Sequence, residues 1–226
     1  MLAGLVSFLS QSIQFFYNIT QAIGIPNYGL AIIFFTVTVK IILYPLTYKQ
    51  LRSMRRMQEL QPKVQEIQKK YKNNPEKAQK AVLELYQAEK INPFSGCLPL
   101  LIQMPILFAL FSALRTFFDP SVNPGVKMEH ANFLWVPNLG ARDPYFILPL
   151  LVMVATYLQQ KASMVGPQDQ SQKTMLVVMP LVIGWMSSQL SAGLALYWVV
   201  FSLMGMLEQW VLRRRPGLMK EEISAK

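Results

Sequence analysis

Apolar residues run along this chain in long uninterrupted stretches. No Asp, Glu, Lys, Arg or His occurs over 1–39 or over 91–114, and Glu208 is the single charge between Thr174 and Leu212. About 20 apolar helical residues cross the hydrocarbon core of a bilayer. The pattern predicts five spans, at about 28–46, 98–117, 145–160, 174–190 and 194–212. Tyr28 at one end of the first, with Tyr44 and Tyr48 at the other, suits interface anchors. Residues 1–24 differ from the spans. Ser7, Gln11, Gln14, Asn18 and Gln21 recur at spacings of four and three, a polar stripe on one helix face. This segment is expected to lie on the membrane surface as an extracytoplasmic amphipathic helix. Pro26 breaks it before the first span.

Between the first two spans the pattern changes. Over 49–92, charges alternate with aliphatic and aromatic residues at helical spacing, as in Val64, Ile67 and Tyr71 and then Val82, Leu85 and Tyr86. Asn73-Asn74-Pro75 divides the segment. Asn74 is a capping residue and proline suits the first helical position. A helical hairpin outside the membrane follows. The outer loop, 119–144, is rich in proline and aromatics. A tail, 213–226, opens on three arginines. Spans three and four are short, so local thinning of the bilayer is expected.

Composition sharpens this picture. Of the 226 residues, 52% are hydrophobic and only 15% charged, against about 25% charged in soluble domains. The net charge of +10 could suggest nucleic acid, but its placement points to topology. The hairpin holds eleven cations, the loop 161–173 two and the tail five. The opposite side has Lys127, Arg142 and Arg115. Cations gather on the cytoplasmic side, so the hairpin and C-terminus are predicted inside and the N-terminus outside. Met1–Gly24 has no cation, so no secretory leader is expected.

Several chemistries are excluded. With one cysteine, Cys97, and one histidine, His130, neither an internal disulfide nor a zinc site can form. No histidine or acidic pair lies within a span to build a protease. No phosphate-binding glycine loop is present. Neither enzyme activity nor a cofactor is expected.

One residue stands out. Lys40 sits about twelve residues into the first span, where a cation costs about 2.5–3.5 kcal/mol on insertion scales. Thr36, Lys40 and Tyr44 follow at spacings of four, on one face, and Thr47 continues it. Gln103, Gln159, Gln160, Tyr197 and Trp198 could face them from other spans. Together they predict a hydrophilic groove. The only acid in a span, Glu208, falls near the end of the fifth. Lys40 is therefore expected to face water and not a buried carboxylate.

Four ordered segments carry a family resemblance. YGLAIIFFTVTVKIILYPLTYKQLRSMRRMQELQPKVQEIQKKYKNNPEK resembles the first core span and hairpin of the YidC/Oxa/Alb membrane protein insertases. NPFSGCLPLLIQMPILFALF is similar to their second core span, FLWVPNLGARDPYFILPLL to their outer loop and third span, and SAGLALYWVVFSLMGMLEQW to their fifth. The match covers about 28–212 and lacks a large extracytoplasmic domain, as in the compact Gram-positive-type form. Two positions depart from the family. Its groove cation is usually Arg, here Lys40, and Ser191 stands where the turn before the fifth span usually has Pro.

The resemblance implies an all-α polytopic membrane protein, five spans around a groove open to cytoplasm and lipid, in the bacterial plasma membrane. It implies that Lys40, Thr36, Gln159, Tyr197 and Trp198 line the groove, with Gln103 as an addition. The implied activity is ATP-independent insertion and chaperoning of nascent membrane proteins, alone or beside the Sec translocon. The ribosome is a further candidate partner, and no nucleic-acid substrate is implied. The competing expectation is a small anion or proton transporter using Lys40. Against it stand the absence of an internal repeat and the lack of a second titratable group at that depth.

Overall fold

The computed structural model describes residues 2–89, 98–164 and 170–214, with side chains at 4–89, 104–164 and 172–212. Eight helices follow in order: α1 Leu2–Ala22, α2 Tyr28–Glu59, α3 Gln61–Lys70, α4 Pro75–Ala88, α5 Leu98–Phe117, α6 Ile147–Ser163, α7 Gln170–Ser187 and α8 Ala192–Arg214. Among the described residues there is no strand. Gln103 lies in α5, but its side chain falls outside the described residues, so its place in the groove is untested.

α8 is the centre of the bundle. It packs against α6, α2 and α5, while α7 lies on α6 and α1 covers α2 and α5. Small residues allow this closeness. Gly184 brings α7 onto α6 beside Met153 and the Pro149 carbonyl. Leu110, Leu114, Ile32, Leu194 and Val152 form the shared core.

The outer shell is inverted relative to a water-soluble protein. Trp185, Ile42, Ile41, Phe108, Leu150 and Met175 are exposed, while Lys40 and Glu208 are buried. Continuous exposed apolar surface on this scale marks contact with something other than water. By length and composition, α2 and α8 can cross a membrane.

Local signals explain the helix limits. Asn27 caps α2 by accepting from Leu30 N, and Asn74 caps α4 by accepting from Lys77 N, with Pro75 at its first position. α2 does not stop near Leu46. Its 32 residues reach about 48 Å at 1.5 Å per residue, so the segment from Lys49 to Glu59 prolongs the first span as one rod. α3 and α4 then pack on each other, joined by Lys63–Glu89 at 2.8 Å.

The loop between α5 and α6 closes one end of the bundle, the loop end. Phe133 and Val136 pair through two backbone hydrogen bonds, and Asn27 Nδ2 donates to the Asn132 carbonyl at 2.8 Å. Tyr17 stacks on Tyr28 at 4.1 Å and shares a hydrogen bond with His130 Nδ1. Burial, reinforced by Glu129, pushes the Tyr17 phenol up.

Asp143 starts α6. Its carboxylate accepts from Leu148 N at 2.6 Å and Tyr145 N at 3.1 Å, and Phe146 turns the chain in the left-handed region at φ 57°. The helix therefore opens at Ile147, two residues past the predicted Tyr145. Removing this cap leaves the buried Leu148 N–H unpaired, which costs about 1–3 kcal/mol. Asp143→Ala is expected to lower unfolding stability in detergent by that amount, with Asp143→Asn recovering part of it.

Candidate functional site

Away from the loop end, three helices turn polar stripes toward one another. α2 contributes Lys40, Thr47 and Gln50, spaced by seven and three. α6 contributes Thr156, Gln159, Gln160 and Ser163, all within two turns. α8 contributes Tyr197, Trp198, Phe201, Glu208 and Gln209. These stripes enclose a cavity of about 360 Å³, completed by aliphatic residues such as Leu43, Ile106 and Ile183. The walls are mostly apolar, with polar side chains set into them from three helices.

Lys40 is not free in this groove. Its Nζ donates to Glu208 Oε2 at 3.2 Å, and the two side chains are only 6% and 7% exposed. The expectation of a cation without a resident carboxylate is therefore corrected. The reason lies in helix lengths. Lys40 is about 18 Å along α2 and Glu208 about 24 Å along α8, both counted from the loop end at 1.5 Å per residue. The reach of a lysine side chain covers the difference. Phe201 covers the ammonium, its ring centre 3.9 Å from Nζ, a favourable cation–π placement.

Gln159, Tyr197 and Trp198 line the cavity with Lys40, as their sequence positions suggest. Thr36 does not. It is fully buried one turn nearer the loop end, and its hydroxyl donates to the Ile32 carbonyl of its own helix at 2.6 Å. Thr36→Val is accordingly expected to leave the unfolding temperature in detergent nearly unchanged, because no partner outside α2 is lost; thermal unfolding checks it.

Residues that sequence reasoning passed over tie the helices together beside the cavity. Gln209 Nε2 donates to Ser163 Oγ at 2.8 Å, and Gln58 Nε2 donates to the Ser163 carbonyl at 2.9 Å. Arg55 donates to the Leu212 and Gln209 carbonyls, where a helix C-terminus favours a cation. Gln58 and Arg55 fall on the prolonged part of α2, so only the length of that helix reveals them. Gly205 leaves room for the Gln159 amide. A Cβ there would overlap the Gln159 amide nitrogen, so Gly205→Ala should shift the end of that side chain. Thr156 Oγ1 and Gln209 Oε1 are buried without a hydrogen-bond partner, in a wall that faces the cavity.

An all-helical bundle with exposed apolar flanks and a cavity holding a buried ion pair has the character of a membrane protein. The chain belongs to the 60Kd inner membrane protein family, whose model matches residues 18–220. It is thus a bacterial membrane protein. Among relatives, it is 40% identical over 207 residues to "Membrane protein insertase YidC" of Geobacter sulfurreducens, covering 91% of this chain and 36% of that one. It is 38% identical over 221 residues to the protein of the same description from Caldanaerobacter subterraneus subsp. tengcongensis, covering 98% of this chain and 100% of that one. The chain therefore spans about a third of the Geobacter relative and the whole of the other. Among solved structures it is similar to an active YidC insertase crystal structure with its first transmembrane domain resolved, at TM-score 0.69 and 31% identity, covering 91% of this chain and 44% of that one. The family resemblance of the four sequence segments holds.

Proposed function

We propose that the chain inserts nascent membrane proteins into the bacterial plasma membrane, with α2 and α5–α8 as five spans. The hairpin and C-terminus face the cytoplasm, and α1 lies on the outer surface. The observation that carries this reading is a cavity within an apolar bundle into which three helices set a buried ion pair and amide side chains. The polar flank of an incoming segment enters the groove, where Lys40, Gln159, Gln160 and Thr156 replace water around it. Its apolar part meets lipid along the exposed faces of α6 and α7. The loop end, sealed by Tyr17, Tyr28 and the 118–146 loop, supports a groove open on the cytoplasmic side only.

The work done is a lowered transfer barrier, with no bond made. A polar group without partners in an apolar medium costs several kcal/mol; a groove lined by amides and hydroxyls offsets much of that. The short α6 and α7, 17 and 18 residues, shorten the path further by thinning the bilayer. The ribosome and the Sec translocon are candidate partners at the basic hairpin.

The Lys40–Glu208 pair supplies the second titratable group that a transporter would need. The named relatives favour insertion over that reading. Purified protein in liposomes tests the choice. A small single-span protein with an acidic flank is expected to reach a protease-protected state. Anion or proton flux without insertion would overturn the proposal.

A further inference from the structure

Resting on the insertase reading, the bare Lys40–Glu208 pair facing the cavity carries a second conclusion. We propose that Glu208 is an exchangeable counter-ion, which holds Lys40 in the resting groove and yields it to the carboxylate of an incoming chain.

The geometry of the pair argues for exchange. A structural ion pair this deeply buried needs further hydrogen bonds to offset desolvation. Here a single contact joins the two, at 3.2 Å, longer than the usual 2.7–2.9 Å of a charge-assisted bond. Among the described residues, no second side chain donates to Glu208. An ammonium has three donors, and Lys40 uses one of them on a side-chain acceptor.

The two ends of the pair are held unequally. Phe201 covers the Lys40 ammonium at 3.9 Å, so the cation keeps a second favourable contact when its carboxylate leaves. Glu208 has no comparable hold. It lines the same cavity as Lys40 and Gln159, so a group entering the cavity meets both ends of the pair. An arriving carboxylate replaces Glu208 with its own kind. Lys40 is never left unpaired, and the displaced Glu208 turns into the cavity that it lines. The resident acid therefore sets a threshold. An acidic flank must displace Glu208 to reach Lys40, so Glu208 moderates the hold on acidic flanks and hastens their release by reclaiming Lys40.

The test compares capture of two substrates by full-length protein in liposomes: a single-span protein with two Asp in its flank, and the same protein with two Asn. Capture is read by crosslinking, and the Asp-to-Asn ratio is the quantity of interest. In Glu208→Gln the ratio is expected to rise about fivefold or more, the size of a coupling between interacting sites, and the captured Asp substrate is released more slowly. Glu208→Asp, which keeps the charge but shortens its reach, shifts the ratio in the same direction by less, and guards against misfolding of the first variant. A purely structural role lowers capture of both substrates together, and a ratio unchanged from wild type in both variants overturns the proposal while leaving the insertase reading intact. Failure of the unaltered protein to insert either substrate overturns the insertase reading, and this proposal with it.

Discussion

Lys40→Glu is expected to abolish insertion of acidic-flanked proteins and to destabilise the protein. Lys40 and Glu208 are buried against each other, and removing one partner of a buried pair costs about 3–5 kcal/mol. The substitution adds like-charge repulsion and removes the contact with Phe201. Lys40→Arg keeps the cation and brings more donors, so it should retain most of the activity. Stability and function separate in Lys40→Met/Glu208→Gln. Replacing a buried pair by uncharged residues is often neutral or stabilising. This double variant should unfold in detergent at or above the temperature of the unaltered protein, yet fail to favour acidic flanks. Preserved selectivity in a stable double variant would remove Lys40 from the mechanism.

The second large effect lies at the opposite end. Gly29→Leu is expected to unseat the loop between α5 and α6. A Cβ at Gly29 would overlap the Phe133 ring, and Phe133 is pinned by its two backbone bonds with Val136. Ring and backbone cannot both yield, because Tyr28 next door is clamped between Tyr17, Phe117 and Phe118. Overpacking of this kind costs about 1–3 kcal/mol. The expected readout is faster proteolysis between residues 118 and 146 from the outside, together with a lower unfolding temperature. The Lys40–Glu208 pair lies about 18 Å or more down the bundle and should keep its geometry. Unchanged proteolysis would mean that the loop end is not sealed by this packing.

Much of the architecture is legible in the residues. Pro26 and the capping residues Asn27 and Asn74 mark where helices begin, because a side-chain oxygen there satisfies an otherwise orphaned N–H. The stripe at 40, 47 and 50 and the cluster at 156–163 are periodic, so the facing walls of the groove could be anticipated. Three things were not legible. The unbroken run of α2 past Pro45 depends on good helix formers from Lys49 to Glu59, which read equally well as the start of a separate hairpin. Asp143 lies in an irregular loop, where its capping role has no period to betray it. The Lys40–Glu208 pair joins positions 168 residues apart, and only the relative lengths and crossing of α2 and α8 bring them level. Thr36 shows the converse. It shares the helical face of Lys40, yet one turn higher that face is sealed by the core.

The central claim is that the polar flank of a substrate occupies the groove during insertion. A photoreactive residue in place of Trp198, inside the cavity, and another in place of Trp185, 70% exposed on the apolar flank of α7, test it directly in liposomes carrying an arrested single-span substrate. The groove account predicts that position 198 crosslinks to the acidic flank, whereas position 185 reaches only lipid or the apolar part of the substrate. Crosslinks from the acidic flank to position 185, with none to position 198, would contradict it.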